Sequence, residues 1–164
     1  MSESELPDIS SFPVSSTPRH VVCMGISGCG KTTLAALLAA RLGLRFAEGD
    51  EFHSQANRDK MHAGHPLNDE DRAPWLDSIQ RWMTSEAKAG HSTVVACSAL
   101  KHAYRDILRG AEGRVIFVHV DPPRDLNQER IEARKNHFMP PSQLQNQIDT
   151  LEPLTEDETG FTIG

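Results

Sequence analysis

The sequence predicts an α/β protein in which a parallel sheet is covered by helices on both faces. Short apolar runs alternate along the chain with segments of helical periodicity, and a Gly-rich loop joins the first apolar run to the first helical one. Such alternation is typical of parallel sheets whose strands are connected by helices. At 164 residues the chain is long enough for one domain with its own core.

The individual elements follow from the apolar pattern and from the residues that cap or end helices. Strands are predicted at 20–24, 44–47, 93–97, 115–120 and 161–163, and helices at 31–42, 69–89, 101–108, about 124–135 and 143–150. Asn68 or Asp69 can cap the long second helix, and Gly90 ends it. Trp75 and Trp82 lie at helical spacing on its apolar face, which favours a core position for both over ligand stacking.

The loop at residues 25–32 reads Gly-Ile-Ser-Gly-Cys-Gly-Lys-Thr and completes the pattern G-x-x-x-x-G-K-[ST]. In such a loop, backbone N–H groups surround phosphate oxygens and the following helix adds its positive N-terminal end. Lys31 would supply a catalytic charge to the β- and γ-phosphates, and the Thr32 hydroxyl is the expected Mg²⁺ ligand. The predicted nucleotide-binding residues are Gly25, Ser27, Gly28, Cys29, Gly30, Lys31, Thr32 and Thr33. Cys29 is either a reactive thiol or a small residue that the loop tolerates.

Two carboxylates follow the second predicted strand, at Glu48 and Asp50. The carboxyl ends of parallel strands meet at one edge of the sheet, so both can face the phosphate-binding loop, as can Ser98 and Asp121. Phosphoryl transfer to an alcohol needs an acceptor for the hydroxyl proton, and Asp50 is the candidate. Glu48 can assist Mg²⁺ through a water molecule. The alternative is that both carboxylates are a solvated strand end.

The composition excludes several other classes of protein. A net charge of −6 and a pI near 5.7 argue against a general nucleic-acid binder, and no apolar run is long enough to cross a membrane. Residues 1–19 are rich in Ser, Pro and acid and predict a disordered tail before a domain at 20–164. Three scattered cysteines do not form a disulfide framework and suggest the cytoplasm. Eight histidines occur without a zinc-binding motif, so no zinc site is predicted.

Longer motifs in the chain resemble the gluconokinase family. They are EGDEFH at 48–53, NRDKM at 57–61, GHPLNDEDRAPWL at 64–76, ACSALK at 96–101, YRD at 104–106 and ARKNHF at 133–138. The resemblance extends over roughly four-fifths of the chain, from about residue 21 to residue 153. It implies a three-layer P-loop kinase fold, similar to nucleoside monophosphate kinases, with a mobile lid. It also implies ATP-dependent phosphorylation of D-gluconate at its 6-hydroxyl, by an enzyme that is usually a homodimer.

The resemblance also implies where the substrate binds. The substrate-binding residues would be Asp50, Arg58, Ser98, Lys101 and Arg105. Which cation meets the gluconate carboxylate stays open, and Arg72 is either such a cation or a structural partner of Asp69 or Asp71. Arg134, on a lid at about 130–142, would move onto the transferring phosphate, unless its helix face is simply solvated.

Two departures from the family pattern leave rival interpretations open. The third strand ends at Cys97-Ser98 without the Asp that usually binds Mg²⁺ there. The sequence ends at Gly164, where family members continue with a closing helix. We therefore expect that helix to be missing and turnover to be weak or absent. The rivals to a gluconate kinase are a kinase of another small metabolite, such as shikimate or adenylyl sulfate, and a nucleotide-binding or dimerising protein without turnover.

Overall fold

The computed structural model describes residues 17–26, 28–65, 67–122 and 141–163, with the side chains of 141–144 left out. The helices and strands in chain order are β1 Arg19–Met24, α1 Lys31–Leu42, β2 Arg45–Glu48, a 3₁₀ turn Gly49–Phe52, α2 Gln55–His62, α3 Asp69–Lys88, β3 Thr93–Ala96, α4 His102–Arg109, β4 Arg114–Val120, α5 Pro141–Thr150 and β5 Gly160–Ile163. The predicted helix at about 124–135 and the tail up to residue 16 lie outside the described residues.

The strands form one parallel sheet in the order β2-β3-β1-β4-β5. Strand β1 lies in the centre, and its residues are buried from His20 to Met24. Parallel pairing requires a crossover between strands, which the helices supply. The predicted fold class is therefore confirmed, with every predicted strand within two residues of its observed bounds.

Alternate residues of the central strands face two separate apolar layers. Val22 and Met24 pack on one face with Leu76 and Ile79 of α3. Val21 and Cys23 pack on the other face, where α1 contributes Leu34, Ala35 and Leu38. This three-layer packing holds the start of α1 and the ends of the central strands at a common edge.

Helix α3 begins after Asn68, one of the two caps that the sequence predicts, and the structure adds a capping box there. The Asn68 side chain accepts a hydrogen bond from the Asp71 amide at 2.8 Å, and the Asp71 carboxylate accepts one from the Asn68 amide at 3.0 Å. Trp75 is buried and Trp82 packs partly buried against the same core, which confirms that both are core residues. Within the part of the chain that the structure describes, no helix has the length and apolarity that a membrane span requires.

The 3₁₀ turn and α2 were not predicted from the sequence. Helix α2 is strongly polar, and its Met61 is exposed, so apolar periodicity could not reveal it. Its one local signal is Ser54, whose side chain accepts a hydrogen bond from the Asn57 amide at 3.1 Å as the N-terminal cap.

Candidate active site

The phosphate-binding loop curls tightly between β1 and α1. Gly25, Gly28 and Gly30 have φ values of 145°, 78° and 97°, in the region that favours glycine. A Cβ atom at Gly25 would lie 2.7 Å from the Val120 carbonyl oxygen and 2.8 Å from the Cys29 Sγ atom. The Gly25 amide donates to the Ser98 carbonyl at 3.2 Å, which fixes the loop against the end of β3.

Lys31 and Thr32 form the first turn of α1, directly after this loop. The Lys31 ammonium lies 3.5 Å from the Ile26 carbonyl oxygen, so it is folded back over the loop. The Thr32 hydroxyl donates to the Glu48 carboxylate at 2.7 Å across the gap to β2. A hydroxyl and a carboxylate beside a phosphate cradle are the hard oxygen donors that Mg²⁺ prefers. These residues therefore fit the metal that the sequence predicts.

Glu48 and Asp50 lie where β2 ends beside β3. A Cβ atom at Gly49 would lie 2.6 Å from the Ala96 carbonyl oxygen, so glycine is needed for this close approach between the two strands. Burial raises the pKa of the Glu48 carboxyl above its ordinary value, and the charge of Asp50 adds to this, while Thr32 and Lys31 oppose it. Asp50 itself is exposed at the edge of the cleft.

The first turns of α3 form the wall of the cleft beside Asp50. The indole N–H of Trp75 donates to the Gly49 carbonyl at 2.8 Å, and the Trp75 ring stacks on His53 at a centroid distance of 4.3 Å. The Asn57 amide group donates to the Asp71 carbonyl at 2.9 Å. These contacts join the 3₁₀ turn, α2 and α3 into one wall.

An open cavity of about 550 Å³ lies at the start of α3. Arg72 and Lys101 supply its cations, and Asn146 and Thr150 of α5 close its other side. The Arg72 guanidinium donates to the Tyr104 hydroxyl at 3.0 Å, and its charge also acts on the nearby carboxylates of Asp69 and Asp71. Lys101, a predicted substrate residue, forms an ion pair with Asp69 at 3.1 Å.

Two other predicted substrate residues lie near Asp50 or the loop. Arg58 donates to the Glu51 carbonyl at 2.9 Å and to the His53 carbonyl at 3.3 Å, which holds its guanidinium against the 3₁₀ turn. Ser98 is half-buried after β3 and is the residue to which the Gly25 amide donates. Their roles in substrate binding stay predictions.

The placement of Arg105 in the substrate pocket needs correction. Its side chain is 0% exposed and is paired with the equally buried carboxylate of Glu158 at 2.6 Å. Its remaining N–H groups donate to the carbonyl oxygens of Ala99 at 2.9 Å, Leu100 at 3.3 Å and Pro153 at 3.4 Å. Every nitrogen of this guanidinium is thus engaged inside the protein, so Arg105 supports the loop before α4 instead of meeting substrate.

Two predicted site residues lie in parts of the chain that the structure does not describe. Ser27 of the phosphate-binding loop and Arg134 of the proposed lid lie outside the described residues, as does most of the lid segment at 130–142. Among the described residues, no group of three or more His, Cys, Asp or Glu side chains is arranged to hold a metal ion.

Comparison with known proteins identifies the family. The family described as "AAA domain" matches residues 21–154. The gluconokinase of Gluconobacter oxydans (strain 621H) is 50% identical over 141 residues, covering 86% of this chain and 79% of that protein. The chain belongs to the gluconokinase family. The family match at residues 21–154 includes the phosphate-binding loop, the 3₁₀ turn and α3.

Solved structures agree with membership of the gluconokinase family. A sugar kinase from Janibacter sp. HTCC2649 has a TM-score of 0.83 at 52% identity, covering 88% of this chain and 84% of its own. A gluconokinase from Sinorhizobium meliloti 1021 has a TM-score of 0.78 at 40% identity, covering 89% and 82%. The APS kinase of Mycobacterium tuberculosis, at 21% identity and a TM-score of 0.61 over 89% and 88%, shares the fold alone.

Lys31→Ala is expected to lower kcat by about 10²-fold or more while leaving the melting temperature nearly unchanged. The ammonium stabilises charge that develops during phosphoryl transfer, and its hydrogen bond to the Ile26 carbonyl is long, at 3.5 Å, so its removal should cost the fold little. Steady-state kinetics and a melting curve on the same preparation check this. The exposed Lys88 at the end of α3 supplies the matched control, Lys88→Ala. Turnover of Lys31→Ala close to that of the control would remove Lys31 from the catalytic machinery.

Proposed function

We propose that this chain transfers the γ-phosphoryl group of ATP to the 6-hydroxyl of D-gluconate. The new bond joins the 6-oxygen to the γ-phosphorus, and the bond from that phosphorus to the β,γ-bridging oxygen breaks. The hydroxyl proton passes to a carboxylate of the protein, and the products are 6-phospho-D-gluconate and ADP. The observation that carries this function is the 50% identity to a gluconokinase over nearly the whole domain.

Asp50 is the proposed acceptor of the hydroxyl proton. It is an exposed carboxylate in the turn after β2, beside Glu48. The charges of Asp50, Glu48 and Lys31 all affect the pKa of one buried thiol, that of Cys97, so the three side chains lie close to each other. The pKa of that thiol is raised to about 12, mainly by burial; the two carboxylates contribute to the rise, while a backbone hydrogen bond at Ala99 and the charge of Lys31 oppose it. Proton acceptor and phosphate-binding cation therefore share one small region, as in-line transfer requires.

Thr32 and Glu48 are the proposed Mg²⁺-binding residues, Thr32 directly and Glu48 through a water molecule. When bound, the metal neutralises charge on the β- and γ-phosphate oxygens. The hydrogen bond of 2.7 Å between the two side chains supports this role, because it already brings a hydroxyl and a carboxylate together beside the loop.

Three further features belong to the proposal through the family. Arg134 on the lid would contact the transferring phosphate, and lid closure would exclude water that could otherwise hydrolyse ATP. The active form would be a homodimer, and the reaction would take place in the cytoplasm. The last point is supported by Cys23, Cys29 and Cys97, which are buried and form no disulfide with one another.

A panel of acceptors tests the substrate. ADP release is measured with D-gluconate, other sugar acids, shikimate and adenylyl sulfate, and without an acceptor. The expected result is ADP release that depends on D-gluconate and exceeds that with every other acceptor. Preference for shikimate or adenylyl sulfate would favour another small-molecule kinase. ATP binding without turnover on any acceptor would favour a nucleotide-binding protein.

A further inference from the structure

The cavity at the start of α3 contains two cations held on one aromatic ring. The Arg72 guanidinium lies 5.6 Å from the centroid of the Tyr104 ring, and the Lys101 ammonium lies 5.5 Å from it. Tyr104 is buried, with 4% of its surface exposed, so the platform beneath the two cations is fixed by the core. Both cations line the cavity, where a ligand could reach them.

A carboxylate of the protein already occupies the place between these groups. Asp69 accepts hydrogen bonds from the Tyr104 hydroxyl and from the Lys101 ammonium, the latter at 3.1 and 3.4 Å. The Tyr104 hydroxyl in turn accepts from Arg72 at 3.0 Å. The hydrogen bonds from Tyr104 and then Lys101 hold the pKa of Asp69 below its ordinary value, so this carboxylate is ionised at neutral pH. The site is therefore chemically suited to a carboxylate.

The Asp69 side chain is more exposed than the Lys101 and Tyr104 groups that bond it. It is 65% exposed, in the first turn of α3, so a competing carboxylate can displace it without opening the core. The neighbouring acid Asp71 differs, because it completes the capping box and forms an ion pair with Lys60 at 2.6 Å. Asp69 is thus the exchangeable carboxylate at the start of this helix.

Arg72 lies on the same wall of the cleft as the proposed proton acceptor, and Lys101 is paired with Asp69 of that wall. Trp75 joins α3 to the turn that carries Asp50, through its bond to the Gly49 carbonyl and its stacking on His53. Burial lowers the pKa of His53, the charge of Asp50 opposes this, and the charges of Arg58 and Arg72 add to it. Asp50 and Arg72 therefore both lie close enough to His53 for their charges to affect it. An elongated acceptor with its hydroxyl at Asp50 can direct its other end toward Arg72 and Lys101.

We propose that Arg72 and Lys101 bind the carboxylate of the acceptor, and that Asp69 occupies their site when no acceptor is bound. This assignment rests on the proposed function, because it takes the acceptor to be a sugar acid. It gives the substrate a direction in the cleft, with the carboxylate at the α3 end and the reacting hydroxyl at Asp50. It also assigns selection of an acid over a neutral polyol to Arg72 and Lys101.

Lys101→Met and Arg72→Gln test the two cations. Each is expected to raise the KM for D-gluconate about tenfold or more while changing kcat much less, since a charge-assisted hydrogen bond to the non-reacting end is lost. The preference for D-gluconate over D-glucitol, which has a neutral hydroxymethyl group in place of the carboxylate, should fall by the same factor. Lys60→Met removes a nearby cation that pairs with Asp71 and is the matched control, expected within about twofold of the wild type. A purely structural role for either cation would leave the acid preference unchanged, and that result overturns the assignment.

Asp69→Asn tests the exchangeable carboxylate. The amide keeps the shape and an acceptor oxygen but removes the competing charge, so the KM for D-gluconate is expected to fall severalfold. A KM that rises or stays constant would show that Asp69 orients the two cations and does not compete with the acceptor for them. That result would overturn the proposal that Asp69 occupies the site when no acceptor is bound.

Failure of this site can be distinguished from failure of the proposed function. If the wild type does not phosphorylate D-gluconate, the proposed function fails. Binding of a carboxylate at Arg72 and Lys101 is then tested by the change in melting temperature that D-gluconate and other sugar acids produce. A shift in the wild type that is absent with D-glucitol and lost in Lys101→Met supports the site. No acid-dependent shift, or one that survives in the variant, overturns it. If both cation variants phosphorylate D-gluconate with the wild-type kcat and KM, the proposed function stands and the carboxylate-binding site at Arg72 and Lys101 is wrong.

Discussion

Asp50→Asn is expected to lower kcat by about 10²–10⁴-fold, the usual effect of removing a general base. The amide preserves the size of the side chain and a hydrogen-bond acceptor, but it cannot take the hydroxyl proton. Because Asp50 is exposed in the turn after β2 and is not part of the phosphate-binding loop, ATP affinity should change little. The measurements are kcat from ADP release and the dissociation constant for ATP.

Glu51→Gln is the matched control for this substitution. Glu51 is the next residue of the same 3₁₀ turn and is exposed, so it tests the loss of a negative charge without the loss of the proposed base. Its kcat is expected to remain within about twofold of the wild type, as for surface substitutions away from a site. If Asp50→Asn retained the wild-type kcat and raised only the KM for D-gluconate, Asp50 would be a binding residue.

Glu158→Ala is expected to lower the free energy of unfolding by about 3–5 kcal/mol, the usual cost of leaving one partner of a buried ion pair uncompensated. Glu158 and Arg105 are both 0% exposed, and Arg109 donates to the same carboxylate at 2.9 Å. Without Glu158, the Arg105 guanidinium keeps its charge in a dry environment. This loss is large against the total margin of about 5–15 kcal/mol for a domain.

Denaturant unfolding at neutral pH measures this loss, with Glu156→Ala as the control. Glu156 is an exposed acid in the same segment, and its removal is expected to change stability by less than about 0.5 kcal/mol. Equal and small changes in the two variants would mean that water reaches the Arg105–Glu158 pair. The prediction would then be wrong, although the fold would stand.

The same pair gives stability a definite dependence on pH. Burial acts to raise the pKa of the Glu158 carboxyl, but the hydrogen bonds from Arg105 and the Thr155 amide outweigh it and hold the pKa below the ordinary value of 4.5. A carboxyl with a lowered pKa in the folded state stabilises the protein fully above its ordinary pKa. That contribution is lost as the pH falls through the lowered value.

The sheet and the phosphate-binding loop could be predicted from the sequence because their signals are local. Strand β1, residues 25–32 and α1 form a continuous run in which apolar pattern, glycines and helix formers agree. The capping box at Asn68 and Asp71 is a local signal of the same kind. Such features need no knowledge of distant contacts.

Arg105 was misplaced because its partner is distant in sequence. Glu158 lies 53 residues away, in a segment with no motif, and only the fold brings its carboxylate against α4. The Tyr104–Asp69 contact, across 35 residues, is equally invisible in a linear pattern. A cationic side chain next to a sequence motif can bind the substrate or form a buried ion pair, and its burial in the folded structure distinguishes the two roles.

The position of the phosphate on the product tests the central claim most directly. The protein is incubated with ATP, Mg²⁺ and D-gluconate, and the product is examined by phosphorus and proton NMR, with Lys31→Ala as the matched control. The predicted result is a phosphomonoester on the 6-oxygen of gluconate, formed in the same amount as ADP and nearly absent with the variant. ADP that accumulates equally without gluconate, or a phosphate on another oxygen, would contradict the account.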